Sequence, residues 1–158
     1  MCFSYKLTIN NSTGSTSYLE YFYGLMQSIH TNHFRLKILI VDDAKLVVYR
    51  LVSLLADMKG ETDLCEAYCY EEAMAEIVNN TPDVLLLDIQ MPGRNGIELL
   101  SAIRQRYPNM IIIMLTNMVS SRYKELCDEM GANHFVDKSS DFEKIPGIIL
   151  SLMPTNKY

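Results

Sequence analysis

From Leu36 onward the chain alternates two rhythms. Short runs rich in β-branched and leucine residues, KILIV (37–41), a weaker DLCEAY (63–68), DVLLLD (83–88), MIIIMLT (110–116) and HFVDK (134–138), are separated by stretches in which apolar residues return every three or four positions. The first rhythm suits strands buried on both faces of a sheet, and the second suits helices that lay one stripe against it. Val47, Leu51, Leu54, Leu55 and Met58 mark a first helix, which Gly60 would end. Glu71 to Asn79 makes a second, with Ala73, Met74, Ile77 and Val78 inward. Asn95 followed by Glu98 has the form of a capping box opening a third, which Tyr107-Pro108 stops. Ser121 to Met130 gives a fourth, closed by Gly131. Ser140-x-x-Glu143 offers another capping box, but Pro146 would sit too deep in a helix begun there. A single turn is therefore expected first, then a main helix from about Ile145 with Ile148, Ile149 and Leu152 facing the core.

Strands and helices alternating in this way predict an α/β fold, a doubly wound five-stranded parallel sheet with five helices on its two faces. In such sheets the working groups gather at the carboxyl ends of the strands. The residues at those ends are Asp42-Asp43, Asp88, Thr116 and Lys138. Asp88 stands out because it directly follows four apolar residues, in surroundings where a carboxylate needs a partner. Three carboxylates crowded into one crevice repel one another and call for a hard divalent cation with oxygen ligands, magnesium being the simplest choice. Such an ion, with the Lys138 ammonium, would also attract phosphate oxygens.

Composition narrows the field. The chain has 158 residues, 49% of them hydrophobic, enough for one domain with a sizeable core and some additional chain. A formal charge of -5 with no Lys/Arg run argues against direct binding to nucleic acid or to an anionic membrane surface. Cys2, Cys65, Cys69 and Cys127 form no C-x-x-C pair, so they read as ordinary thiols of a reducing compartment, and no stretch has the length of a membrane span. A cytoplasmic location is the expectation. Residues 1–35, with the polar stretch NNSTGSTS and the aromatic LEYFYGLM, read as an N-terminal extension, helical or disordered, unless the biological start is Met26; residues 36–158 form the domain.

The conjunction of Asp42, Asp43, Asp88, Thr116 and Lys138 with the segment DIQMPG at 88–93 resembles a response-regulator receiver domain, a flavodoxin-like fold, from roughly Leu36 to Met153. The resemblance implies that Asp88 is the phosphoacceptor, receiving phosphate from a histidine kinase or a histidine phosphotransfer protein. It implies Mg2+ held by Asp43, Asp88 and the backbone carbonyl of Gln90, with Asp42 acting mainly through a bound water. Lys138 would neutralise phosphoryl oxygens, and Thr116 would hydrogen-bond one of them. Phe135 occupies the position of the family's switch aromatic, a role compatible with that of a core residue on the last strand. Helix four, strand five and helix five would carry the readout.

The chain departs from the family pattern in several places. Ser139 stands where proline commonly follows the lysine, which puts a cis peptide there in doubt. Asn117 stands where a small residue commonly follows the threonine. Gln90 and Met118 take the places that flank the path of a hydrolytic water. An apolar thioether cannot orient water, so Met118 is expected either to slow self-dephosphorylation or to serve a partner surface.

The few residues after Met153 lead to the expectation of a stand-alone, chemotaxis-type receiver. Such a module is not an enzyme in its own right but assists its own phosphorylation and dephosphorylation, and it signals by contact with an unidentified downstream protein. Alternatives are a phosphorelay intermediate that passes phosphate to a histidine phosphotransfer protein and a magnesium-dependent aspartyl-phosphate phosphatase. The phosphatase usually wants a general acid where this chain has Gln90. A flavin-binding domain would want a Gly/Ser/Thr-rich loop where Asp42-Asp43-Ala44 stands.

Overall fold

The structure, a computed structural model, describes residues 35–56, 58, 62–117 and 120–152. The element order is β1 (Leu36–Val41), α1 (Lys45–Ala56), β2 (Thr62–Ala67), α2 (Tyr70–Asn80), β3 (Val84–Asp88), α3 (Gly96–Arg104), β4 (Ile111–Thr116), α4 (Ser121–Glu129), β5 (His134–Asp137), a 3-10 turn (Phe142–Lys144) and α5 (Ile145–Leu152). All strand pairings are parallel, in the order β2-β1-β3-β4-β5, as the alternating pattern predicts. The expectations for Tyr18 to Ile29, Gly60 and Met118 fall outside the described residues.

Alternation along the central strands sends successive side chains to opposite faces, and each face has its own core. Leu39, Val41, Leu85, Leu87, Ile112 and Met114 pack with Ala73 and Ile77 of α2 and with Leu99, Leu100 and Ile103 of α3. Ile38, Ile40, Val84, Leu86, Ile113, Leu115 and Val136 pack on the other face with Val48, Leu51 and Leu55 of α1 and with Ile145 and Ile149 of α5. Every residue of β3 is buried, which is why its sequence is an unbroken apolar run.

Three details of the helices differ from expectation. In α1 the buried stripe is Val48, Leu51 and Leu55, while Val47, Leu54 and Met58 only pack against its margin. Val78 is 50% exposed although it follows buried Ile77, because α2 turns that position past the edge of its apolar stripe. At the last helix a short turn does precede a helix from Ile145, but the expected Ser140 cap does not form. Its hydroxyl donates instead to the Asp137 carboxylate at 3.0 Å, since the tight exit from β5 places that acceptor nearer than any free helix N–H. Ile145 and Ile149 take the buried positions of α5, with Ile148 and Leu152 beside them.

Candidate functional site

Register assembles the site. Val41 pairs with Leu87, so Asp42 and Asp88 are the next residues along neighbouring strands. Asp88 pairs with Leu115, and Thr116 pairs with Asp137, which leaves Thr116 and Lys138 at the same edge of the sheet. The Lys138 N–H donates to the Thr116 carbonyl at 2.8 Å, fixing the start of the lysine side chain.

The notch that results is a buried set of charges. Asp42, Asp88, Thr116 and Lys138 are all buried, whereas Asp43 is exposed at the mouth. Lys138 Nζ lies 2.5 Å from Asp42 Oδ2 and 2.9 Å from Asp88 Oδ1. The other Asp42 oxygen accepts the Ala44 N–H at 2.9 Å, so both of its oxygens are engaged. The contact at Asp88 is an ion pair without hydrogen-bond alignment, since Oδ1 is buried and has no hydrogen-bond partner. Burial pushes the Asp88 carboxyl above the ordinary carboxylate range and the Asp42 charge pushes it further, while Lys138 and a backbone N–H at Gln90 pull the other way.

One oxygen from each of Asp42, Asp43 and Asp88 lies within 4.8 Å of the others. Oxygen ligands at that spacing, one of them buried without an aligned hydrogen bond, fit a hard cation of the magnesium type. Lysine at the back of the notch offsets only part of three negative charges, and capacity for a dication remains.

The neighbouring loops are tightly determined. Gly96 N–H donates to the Ile89 carbonyl at 3.1 Å and closes the β3–α3 loop at its base. A Cβ on Gly96 would lie 2.0 Å from the Asp88 carbonyl oxygen, so the helix can approach the strand only with glycine there. Sequence reading did not single out Gly96; the available signal was a glycine directly after the capping Asn95, where helix formation alone gives no reason for it. Asn95 does cap α3, accepting the Glu98 N–H at 3.0 Å, but Glu98 turns to Arg94 Nε at 3.2 Å, so only half of the expected box is present. Beyond β5, the Asp137 carboxylate accepts the Ser139 N–H at 2.8 Å and the Ser139 hydroxyl at 2.6 Å, which hold it below the usual carboxylate range. No cis peptide occurs among the described residues, in line with the reading of Ser139.

Of the other expected residues, Gln90 is exposed two positions beyond Asp88, and Phe135 is half-buried on β5 beside Met114, against the core face that α3 covers.

Comparison with known proteins decides the family. Residues 38–150 match the model of the response regulator receiver domain. The chain belongs to that family. Among curated relatives, the response regulator UvrY of Escherichia coli is 30% identical over 123 residues, covering 78% of this chain and 56% of the relative. The chain thus spans little more than half the length of the curated relatives it matches. Among solved structures, chemotaxis protein CheY4 of Vibrio cholerae aligns with a TM-score of 0.68 at 26% identity, covering 75% of this chain and 99% of that one. The CheX-CheY-BeF3-Mg2+ complex of Borrelia burgdorferi aligns with a TM-score of 0.68 at 30% identity, covering 73% of this chain and 87% of that one. This receiver is thus a module of two-component signalling. No helix among its described residues is long and apolar enough to cross a membrane.

Proposed function

We propose that this receiver takes phosphate onto Asp88 from a phosphohistidine of a histidine kinase or histidine phosphotransfer protein, in the presence of Mg2+, and signals by phosphorylation-dependent contact with another protein. The observation that carries the reading is the buried Asp88 Oδ1, ion-paired with Lys138 Nζ at 2.9 Å without an aligned hydrogen bond, in a notch walled by two further carboxylates. A carboxylate so placed is held for a reaction.

In the transfer, an Asp88 carboxylate oxygen forms a bond to phosphorus as the bond from phosphorus to the histidine nitrogen breaks, and the departing imidazole keeps that electron pair and takes up a proton. Asp43, Asp88 and the Gln90 carbonyl would hold Mg2+, with Asp42, already committed to Lys138 and Ala44, acting at one remove. The bound ion supplies positive charge against the phosphoryl oxygens. Lys138 is positioned to supply the rest, and Thr116 to donate a hydrogen bond. The Borrelia complex, which contains BeF3 and Mg2+, supports the same chemistry here. Burial raises the proton affinity of Asp88, and a cation held by Asp43 and Asp88 would favour the anionic carboxylate needed for attack.

The arriving histidine meets the rim of the notch, where α1 begins just beyond Asp43. That helix exposes Leu46 and Tyr49, 73% and 70% accessible, which suits an apolar contact with a partner. Thr116 and Phe135 would carry the change to the surface of α4, β5 and α5, and Met118 would lengthen the life of the phosphoryl group.

Incubation with phosphoramidate and Mg2+, read by intact mass, should add one phosphoryl group to the wild-type chain. Asp88→Asn, and the wild type in EDTA, should gain none. A wild type that stays unmodified both with phosphoramidate and with an autophosphorylated histidine kinase, or an Asp88→Asn variant labelled as fully as the parent, would sink the assignment.

A further inference from the structure

Two cations stand beside the notch, and each lies over a tyrosine from the same connection. Lys45, just past Asp43, has Nζ 5.8 Å from the centre of the Tyr68 ring, while the Arg94 guanidinium, in the β3–α3 loop that carries Gln90, lies 3.5 Å from the centre of the Tyr70 ring. Tyr68 lies in the turn between β2 and α2 and Tyr70 is the first residue of α2, a stretch that contributes no group to the notch. The two rings are themselves fixed. Tyr70 is buried in the core, and Tyr68 donates its N–H to Glu72 at 2.8 Å and its hydroxyl to Glu66. A rigid third connection therefore grips the two loops that bring Asp43 and Gln90 to the site.

The grip matters most in the β3–α3 loop. Its base is pinned by buried Ile89 and Met91 and by the Gly96 N–H on the Ile89 carbonyl. Its tip turns at Gly93, whose φ of +77° imposes no shape of its own on a glycine. Gln90 lies between base and tip. At the tip, Arg94 stacks on Tyr70 and is tied to Glu98 at 3.2 Å. A guanidinium set 3.5 Å from the centre of a buried ring is a stiffer tether than an exposed ion pair.

We infer that Arg94, clamped on Tyr70, is a positioning residue that holds the β3–α3 loop in its cation-binding shape and so raises Mg2+ affinity, with Lys45 on Tyr68 doing the same more weakly for the β1–α1 loop. The inference rests on the reading of Asp42, Asp43 and Asp88 as the Mg2+ site. It makes a prediction opposite in sign to simple electrostatics. A positive charge near an acidic notch repels a dication, so if Arg94 acted through charge alone its removal would strengthen Mg2+ binding. A positioning role requires that removal weaken it.

The test is calorimetric titration of the full chain with MgCl2, alongside thermal unfolding in EDTA. Arg94→Ala and Tyr70→Leu should each bind Mg2+ about tenfold more weakly than the parent, as loss of a supporting group around a metal typically does. Tyr70→Phe, which keeps the ring under the guanidinium, should stay near the parent, Arg94→Lys, which keeps the charge but loses the planar stack, should fall between parent and Arg94→Ala, and Arg94→Ala, an exposed position, should unfold in EDTA at nearly the parental temperature. Arg94→Ala binding Mg2+ as tightly as the parent, or more tightly, overturns the inference alone. A parent chain that takes up no Mg2+ overturns the metal reading and the inference with it.

Discussion

Helices α3 and α4 follow neighbouring strands and pack toward the same face of the sheet, yet they are held very differently. α3 buries Leu99, Leu100 and Ile103, is capped by Asn95, and at its other end extends the Arg104 guanidinium to the carbonyls of Pro108 and Met110 at 3.0 and 2.8 Å and to Asn133 Oδ1 at 3.0 Å. α4 buries a single side chain, Cys127, while Tyr123 and Leu126 face solvent, and Ser120 makes no side-chain cap. Apolar burial is what fixes a helix to a sheet, because propensity alone barely stabilises one of nine residues. The element that supports Asp88 is therefore rigid. The element beyond Thr116 is attached by one thiol and by the turn at Gly131, and such weakly held segments are the ones that can change arrangement at small cost.

The contrast breaks most easily at its rigid end. Gly96→Ala should cost at least about 3 kcal/mol in urea unfolding, because the added methyl meets backbone at Asp88 rather than a side chain that can yield. Its phosphorylation should fall with its stability, since Asp88 must shift to make room. Leu99→Ala should cost about 3 kcal/mol, as burial in a packed core dictates, whereas Leu126→Ala on α4 should change stability by no more than about 0.5 kcal/mol. Equal losses at the two positions would show that α4 is packed far more firmly than its exposed side chains imply.

Amide exchange sharpens the comparison without mutation. Peptides covering α4 should exchange at least about tenfold faster than those covering α3, the energetic equivalent of about 1.4 kcal/mol less local stability. Phosphorylation of Asp88 should alter exchange in α4 more than in α3.

The smallest effect concerns the thiol that attaches α4. Burial pushes Cys127 up to about 11 from an ordinary value of 9.0. In the unfolded chain the thiolate forms as pH rises past 9.0, but the folded chain holds its proton until about 11, so the fold loses stability across that window and none below it. Melting curves of the parent should fall more steeply between these limits than those of Cys127→Ala. Parallel pH profiles would remove Cys127 from the account.

Much of this was legible without coordinates because two periodicities suffice to separate strands from helices, and parallel crossover rules then leave few arrangements. DVLLLD announced a strand covered on both faces, and the residues at four strand ends announced the notch. What could not be read was any feature that depends on how closely two elements approach. Gly96 is a helix residue of poor propensity until the Asp88 carbonyl is seen against it. Ser140 looked like a helix cap because spacing says nothing of Asp137 reaching the hydroxyl first, and Val78 looked inward because a stripe's width is set by the sheet it meets.

By itself, then, the sequence determined the order of elements, the parallel sheet between two apolar layers, and which polar groups end the strands, since these follow from side-chain polarity along a regular backbone. Only the tertiary structure decided that Lys138 bridges Asp42 and Asp88, that one Asp88 oxygen is left buried without an aligned hydrogen bond, and that tyrosines at the entry to α2 lie under Lys45 and Arg94. The reason is that charge pairing and desolvation are set by distances of a few ångströms between residues far apart in the chain, and no local pattern encodes those.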